Sequence, residues 1–281
     1  MKTWKKIVLG VSLISLFLGG GLVAWGYSQG GLTDLQNQTK SEQDYVKKEV
    51  KDFNKIDIKS SSYNVLIKNG DVDKATLSYY QKTKNPIDTS VKDGQLTIND
   101  NNSELDSTSN KHINFFGLKD LVRLSTLNEE VRNKTIVITL PKKQTIDFLK
   151  VDLATGNLDL SNSTIKQADI NLNVGDLTFT KMIVSNLKAN LDVGSVDSYH
   201  TLFTNSDLSV AMGDYSGDNL IFNGHNKLDV TSGDIEIALK DYTLNVQADS
   251  HSGEVDITNN LKISKDNTLT ITSDLGDITV E

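Results

Sequence analysis

Acidic side chains recur through the second half of the chain, each placed directly after a glycine. The row comprises Asp176, Asp214, Asp234, Glu254 and Asp277, with Asn157 and Ser195 in the same position of two further segments. If these segments stack, their carboxylates would form a cluster of the oxygen ligands that calcium prefers. Alternatively, the side chains cap turns, because Asp and Asn beside a turn often accept hydrogen bonds from backbone amides. The Gly-Gly-x-Gly-x-Asp signature of calcium-binding repeats is absent, so we favour turn capping and predict no metal site.

No other residue pattern predicts catalysis or cofactor binding. The four histidines share no repeat position and lack metal-ligand spacing; they are His112, His200, His225 and His251. The sequence contains no cysteine, no Gly-x-Ser-x-Gly elbow and no P-loop. Its two arginines, Arg123 and Arg132, precede the repeats, which therefore lack an arginine to bind an acidic sugar. We predict no catalytic residue, no cofactor and no enzyme activity.

Composition is that of a folded protein with an acidic surface. The chain has 281 residues, 37% of them hydrophobic, and a formal net charge of −8. We exclude nucleic acid as a partner, because a protein needs basic stripes to displace counterions from phosphates. The absence of cysteine fits an exported protein that does not rely on disulfides.

Seven glycines mark a repeat. They are Gly156, Gly175, Gly194, Gly213, Gly233, Gly253 and Gly276, at intervals of 19, 19, 19, 20, 20 and 23 residues. A fixed period of about 20 residues is typical of stacked repeat architectures. We predict that these glycines are structural and supply the positive φ, or the close backbone approach, that a corner needs.

Apolar residues alternate on both sides of each glycine. Ile170 and Leu172 precede Gly175 in this way, and Leu177 and Phe179 follow it. A third apolar position recurs about nine residues after each glycine. This pattern predicts three short strands per coil, stacked in parallel on the next coil. The predicted fold class is all-β, a right-handed parallel β-solenoid with coils of about 20 residues, because crossover connections favour the right hand.

The first half of the chain carries a degenerate form of this pattern, so residues 51–281 are assigned to one solenoid domain. Strands are predicted at residues 56–58, 63–67, 74–81, 90–99 and 136–140, with a tight turn at Asp93-Gly94. Residues 100–133 lack the glycine period. We predict that they form an irregular flap that closes the side or the end of the solenoid.

The N-terminus carries a membrane signal. A basic tail over residues 1–6 precedes an uncharged apolar run over residues 7–27, which at ~1.5 Å per residue can span a bilayer. We predict a cytoplasmic tail, one transmembrane anchor and a polar stalk over residues 28–50, helical over 41–50, with the C-terminal domain outside the cell. The alternative is a signal peptide cleaved near Ala24 and Gly26, which would give a secreted protein.

The last repeat ends at Val280, and no residues remain to cover its coil. We therefore predict an unpaired strand edge around Ile278 that supports docking or self-association. The charges of Asp274, Asp277 and Glu281 would limit uncontrolled aggregation at that edge.

The order of the motifs resembles a known family. An N-terminal anchor is followed by IDIKSSSYNVLI at residues 56–67, VKDGQLTI at 91–98, IVITLP at 136–141 and repeated L-x-V-x-x-G-D units. This order resembles the putative-adhesin β-repeat family of bacterial cell envelopes, including membrane-anchored members of the LiaG type. The resemblance implies an extracytoplasmic β-solenoid and supplies no catalytic or binding residues.

Three functional hypotheses follow. The first is a membrane-tethered, non-enzymatic module that binds or scaffolds an envelope protein or polysaccharide, in an envelope stress response. The second is a surface adhesin for glycan or protein ligands. The third, less favoured, is a carbohydrate-active enzyme, because β-helices often host such enzymes while a fold alone does not establish an activity.

Overall fold

The computed structural model describes residues 43–82, 86–100 and 134–281, and all regular structure in these ranges is β-strand. None of these residues belongs to a helix that is long and apolar enough to cross a membrane. The predicted tail at 1–6, the anchor at 7–27, most of the stalk and the flap from residue 101 onward lie outside the described residues. The prediction of an all-β fold is confirmed for the part of the chain that the structure covers.

Seven described strands precede the regular repeats. They are β1 (Gln43–Glu49), β2 (Lys55–Ser60), β3 (Asn64–Gly70), β4 (Thr76–Lys82), β5 (Asp88–Lys92), β6 (Gln95–Asn99) and β7 (Thr135–Pro141). Strands β5 and β6 form the predicted hairpin around Asp93-Gly94, and β7 ends at its proline.

Residues 43–49, predicted as part of a stalk and as helix, form strand β1 instead and pair with β4. The physical reason is that two side chains of this mostly polar segment pack against the rest of the domain. Val46 packs against the hydrophobic core, and the Tyr45 ring lies 4.8 Å from the Tyr80 ring.

Eighteen strands build the repeats. They are β8 (Thr145–Ile146), β9 (Phe148–Leu153), β10 (Leu158–Ser161), β11 (Thr164–Ile165), β12 (Ala168–Val174), β13 (Leu177–Thr180), β14 (Ile183–Ser185), β15 (Leu187–Val193), β16 (Val196–Tyr199), β17 (Leu202–Thr204), β18 (Asp207–Met212), β19 (Tyr215–Asn223), β20 (His225–Ser232), β21 (Ile235–Leu239), β22 (Asn245–Ser252), β23 (Val255–Ile257), β24 (Thr268–Leu275) and β25 (Ile278–Val280). All their mutual pairings are parallel, as predicted from the alternating apolar residues.

Successive coils stack in register, so that equivalent residues of each repeat lie side by side. Ile170 pairs with Ala189 in β15, and Leu177 pairs with Val196 in β16. These inward side chains are buried, while the residues between them face outward. Burying one large apolar side chain contributes about 1.5–3 kcal/mol, and the stacking of neighbouring coils is what removes these side chains from water.

Aromatic side chains add to this stacking in three consecutive coils. The Phe203 ring packs edge-to-face on Phe179 at 5.3 Å and stacks on Phe222 at 5.8 Å. Such pairs add about 0.5–1.5 kcal/mol beyond their burial. Register between coils is therefore specified by side-chain shape as well as by backbone hydrogen bonds.

Charges alternate along one outward row of the sheet that contains β9, β12, β15, β18 and β20. The row runs Asp57, Lys150, Asp169, Lys188, Asp207 and Lys227, each paired in register with the next. Opposite charges directly across neighbouring strands stabilise a sheet. If a strand paired with the next coil but one, like charges would lie opposite each other. The row therefore supports the same register as the core.

The order of coils at the C-terminal end differs from the order of the sequence. Strand β24 lies between β20 and β22, so that Ile271 is opposite both Leu228 and Ala248. Likewise β25 lies between β21 and β23. The coil that contains Gly276 is therefore the last but one, and the coil that contains Gly253 is the end of the stack.

This order corrects the predicted edge. Ile278 is only 1% exposed and has a strand on each side, so the last residues of the sequence do not form the open edge of the solenoid. That edge belongs to β22 and β23, whose pairings within the described chain are with β24 and β25 alone. The prediction failed because strands compete for partners across the whole chain, and a repeat period carries no information on that choice.

The N-terminal end shows the same inversion. Strand β2 lies between β6 and β9, and β3 lies between β7 and β10, so the outermost coil comes second in the sequence. This end is covered by antiparallel strands, because β5 pairs with β6 and β4 pairs with β7. Within the described residues the two ends of the solenoid are therefore unlike: antiparallel strands cover one, and no further strand pairs with the other.

A serine turn replaces the glycine corner in the coil of β2 and β3. Tyr63 takes the position of the glycine, and the buried Asp100 carboxylate holds the turn. It accepts hydrogen bonds from the Ser60 hydroxyl at 2.7 Å and from the Ser61 amide at 2.9 Å. The Asp100 carboxylate thus has a structural role in this turn.

Candidate functional site

The repeat coils turn at three corners, and residues with positive φ mark each of them. The first corner holds the repeat glycines. The second holds Asn162, Lys181, His200 and Asn219, with φ between 52° and 60°. The third holds Asn186, Asn205 and Gly224, with φ between 49° and 65°. Two of these corners present side chains to solvent and are therefore candidates for binding.

The glycines of the first corner stack directly on one another. Gly194 has a φ of 147°, which side-chain-bearing residues rarely adopt. A Cβ atom there would lie 2.6 Å from the carbonyl carbon of Gly175 and overlap its oxygen. Every repeat glycine meets a carbonyl group of the neighbouring coil in this way; these are Gly156, Gly175, Gly194, Gly213, Gly233, Gly253 and Gly276. Gly253 does so without a positive φ.

The acidic row beside these glycines is a ladder of hydrogen bonds between coils. The Asp234 carboxylate accepts the Asp277 amide at 2.9 Å, and Asp277 accepts the Glu254 amide at 2.8 Å. Earlier coils repeat the contact, with Asn157 accepting the Asp176 amide at 3.0 Å. The side chains therefore accept hydrogen bonds from backbone amides at the turns, in line with the predicted turn capping, and these amides belong to the neighbouring coil. Among the described residues no group of three or more His, Asp or Glu could hold a metal ion.

An apolar row lies just before the glycines and faces solvent. Val174, Val193, Met212 and Leu275 are 48%, 38%, 55% and 57% exposed, with Ser232 in register between the last two. Exposed apolar side chains that lie side by side often mark an interaction surface. This glycine-corner row was not predicted, although its residues share one position in the repeat.

The structure does not bring the three described histidines, His200, His225 and His251, together. His112 lies outside the described residues, as do Arg123 and Arg132. His225 lies 3.0 Å through Nδ1 from the Thr268 hydroxyl, and His251 is exposed on the end coil. His200 alone lines a concave surface, which is at the second corner.

A small cleft at the second corner is the candidate binding site. It has a volume of about 170 Å³ and is formed by consecutive coils. These coils are joined by backbone hydrogen bonds: the Lys181 amide donates to the Tyr199 carbonyl at 2.8 Å, and the His200 amide donates to the Asp218 carbonyl at 2.9 Å. One side is cationic or polar and is lined by Lys181, His200, Asn219 and Lys240. The other is apolar and is lined by Ile183, Leu202 and Ile221.

The backbone explains how these side chains are presented. At the second corner the left-handed conformation turns the chain between the second and third strands of the coil. Two residues later, Ile183, Leu202 and Ile221 pair in register on the outer face. The cleft therefore lies between a row of corner side chains and a row of strand side chains.

Carboxylates border this corner without lining the cleft. The charge of Asp197 is the main cause that raises the pKa of Tyr199, followed by partial burial and by the charge of Asp218. In the cleft itself, the buried Thr201 hydroxyl donates to the Tyr199 carbonyl at 3.1 Å. This hydroxyl is therefore bonded to the backbone and not to a base.

Solved structures of low sequence identity share similarity with most of the chain. They include a "putative cell adhesion protein" from Clostridium sporogenes (14% identity, TM-score 0.37, 85% of this chain and 98% of that chain), a "putative adhesin" from Bacteroides fragilis (16%, 0.38, 85% and 97%) and a "putative lipid binding protein" from Parabacteroides distasonis (12%, 0.42, 85% and 97%). No curated protein matches the sequence.

A family model covers the whole solenoid. It matches residues 53–281 and confirms the β-repeat family resemblance predicted from the motifs. The chain belongs to the Toastrack DUF4097 family.

Proposed function

We propose that this protein is a non-enzymatic binding or scaffolding module of the bacterial cell envelope. The observation that carries the proposal is the stack of coils that presents outward side chains in registered rows, with a cationic and apolar cleft at one corner. Rows of this kind give an extended ligand repeated contacts at a fixed spacing of ~4.8 Å. In the cleft, the Thr201 hydroxyl donates to a backbone carbonyl at 3.1 Å and not to a base.

The proposal places the solenoid outside the cell, tethered by the apolar run at residues 7–27 or released after cleavage. The supporting features are the lysines before the run and the absence of cysteine from the chain. A right-handed winding belongs to the same proposal, because crossover connections favour that hand. A role in an envelope stress response is the biological context we propose for the tethered form.

Adhesion to glycans or proteins is the second candidate. The glycine-corner row of Val174, Val193, Met212 and Leu275 favours it, because these side chains project from the stack and could contact a foreign surface. Adhesion and scaffolding differ in whether the ligand belongs to the same cell.

The proposal includes self-association, at a strand edge other than the one predicted around Ile278. We place it at β22 and β23, which form the open edge of the solenoid. Val255 supports this placement because it occupies a core position of its coil and yet is 42% exposed. An unpaired edge with uncovered core residues is a template for another strand.

A binding experiment tests the function. Full-length protein in lipid nanodiscs would be incubated with envelope fractions of the source bacterium and of unrelated bacteria, and both retention and released sugar would be measured. We expect retention by the source envelope without sugar release. Release of sugar would contradict a non-enzymatic module, and equal retention by foreign envelopes would favour adhesion. No retention by any fraction would overturn the binding function.

A further inference from the structure

We propose that the cleft at the second corner binds an acidic sugar of an envelope polysaccharide. This inference rests on the proposed function and names the ligand class that the site takes. It depends on four features of the cleft: its positive charge, one unsatisfied acceptor, the choice of residues at its corner positions and its apolar side.

Positive charge is concentrated here on an acidic protein. Lys181, His200 and Lys240 line the cleft, whereas the chain carries a net charge of −8. Neither lysine forms a salt bridge with a described carboxylate. Asp218 is adjacent in sequence to the cleft residue Asn219 and does not line it. The two ammonium groups are therefore available to an anionic ligand, and charged hydrogen bonds of this kind are stronger than neutral ones.

A buried acceptor in the same cleft requires a donor. The side-chain oxygen of Asn219 is buried and has no hydrogen-bond partner among the described residues. Buried polar atoms in native proteins are almost always paired, so an unpaired one indicates a missing partner. Asn219 lines the cleft, so a rotation of its side chain would bring this oxygen to a hydroxyl group of a ligand. The ligand should therefore carry hydroxyls beside its anionic group.

The corner position of Lys181 is unfavourable for this residue type. Lys181 adopts a φ of 53°, and the equivalent positions of neighbouring coils hold Asn162, His200 and Asn219. Asparagine and histidine are enriched in the left-handed conformation, whereas lysine is not. The backbone alone would thus favour asparagine or histidine at position 181. A lysine that occurs there despite this preference points to a role for its ammonium group.

The size and apolar side of the cleft fit a sugar ring. Its volume of about 170 Å³ leaves room for one sugar ring. Ile183, Leu202 and Ile221 can contact the C–H face of a ring whose acid group lies toward the lysines. The rows continue along the stack beyond the cleft, so neighbouring sugars of a chain could remain bound to the surface.

Three probes separate the parts of this proposal. Oligogalacturonate carries both acid groups and hydroxyls, dextran oligosaccharide carries hydroxyls alone, and inorganic polyphosphate carries charge alone. Calorimetric titration of the full-length protein should show the tightest binding to oligogalacturonate. Absence of oligogalacturonate binding would overturn the proposal. Equally tight binding of polyphosphate would overturn the assignment to a sugar.

Two variants test the residues, and one serves as a matched control. Lys181→Asn and Lys240→Gln should each weaken oligogalacturonate binding by about tenfold, because each removes one charge-assisted hydrogen bond. Lys188→Gln removes the same charge from the alternating row of the other sheet and should change affinity less than about twofold. Unchanged affinity in both cleft variants would overturn the assignment.

Stability gives an independent readout for Lys181→Asn. Asparagine suits a φ of 53°, so the variant should unfold at a higher temperature than the wild type while it binds less ligand. Loss of binding together with loss of stability would indicate a structural role and overturn the proposal. A double variant that combines Lys181→Asn with Lys240→Gln separates the two proposals. If source envelopes retain it as well as the wild type, the cleft assignment fails while envelope binding stands.

Discussion

The carbonyl group of Gly175 lies directly against the α-carbon of Gly194, and no side chain fits between them. Gly194→Ala would place a methyl carbon 2.6 Å from the Gly175 carbonyl carbon at a φ of 147°. We expect a loss of about 3 kcal/mol or more in the free energy of unfolding, measured with urea. Ser195→Ala is the control and should cost less than about 1 kcal/mol, because it removes only a long hydrogen bond. Similar stability of the two variants would contradict the stacked corner.

The ladder at the first corner predicts different effects for two substitutions of Asp234. Asp234→Asn keeps an oxygen that can accept the Asp277 amide, so stability should stay within about 0.5 kcal/mol of wild type. Asp234→Ala removes the acceptor and should cost about 1 kcal/mol. Calcium should shift the melting temperature of none of the three proteins. A calcium-dependent rise in wild type that Asp234→Asn abolishes would indicate a metal site.

The inserted strands β24 and β25 predict what a C-terminal deletion does. Removal of residues 268–281 takes away the strand partners of β22 and β23, so hydrogen exchange over residues 245–257 should become fast. Ile263→Ser, at a residue that is 85% exposed, is the control and should leave exchange unchanged. Continued protection of residues 245–257 after the deletion would contradict the order of the coils.

Asp159 gives a pH prediction. Burial raises the pKa of its carboxyl group; a hydrogen bond with Thr178 opposes this effect, and the charge of Asp176 adds to it. The folded state therefore disfavours the carboxylate at neutral pH, and this cost disappears as pH falls through the raised pKa. Asp159→Asn should stabilise the protein at pH 7, and the gain should shrink at acid pH. Asp169→Asn, between two lysines of the alternating row, should show the opposite sign at pH 7.

The open end predicts a contrast between equivalent residues of adjacent coils. Val255 and Ile278 pair in register, but the first is 42% exposed and the second 1% exposed. Val255→Lys should leave stability within about 0.5 kcal/mol of wild type, whereas Ile278→Lys should destabilise the fold by about 3 kcal/mol or more. Sedimentation of the full-length protein should show an association that Val255→Lys removes. Association that persists in this variant would place the interface elsewhere.

The coils could be predicted because their signals are local. Glycine at the first corner and alternating apolar residues such as Ile170 and Leu172 act within one repeat. The order of coils at the ends could not be predicted in this way, because Ile235, Val255 and Ile278 are almost interchangeable as strand residues. Their positions depend on which strands pair with one another across the whole chain.

The cleft was missed for a related reason. Lys181 and His200 look like ordinary surface residues until the backbone shows that their corner adopts positive φ. The available signal was the position they share with Asn162 and Asn219, at a spacing of 19 residues between neighbours. Compared position by position, the repeats would have shown a lysine where asparagine and histidine suit the conformation.

The inverted order at the C-terminal end constrains how the protein matures. A ribosome makes residues 245–257 before residues 268–280, yet the earlier segment has its place only against the later one. Folding from the N-terminus can therefore proceed coil by coil up to β21 and must then wait. During synthesis or export, the outermost segment stays without its partner until residues 268–280 have emerged. The end coil therefore folds only after the coil that follows it in the sequence.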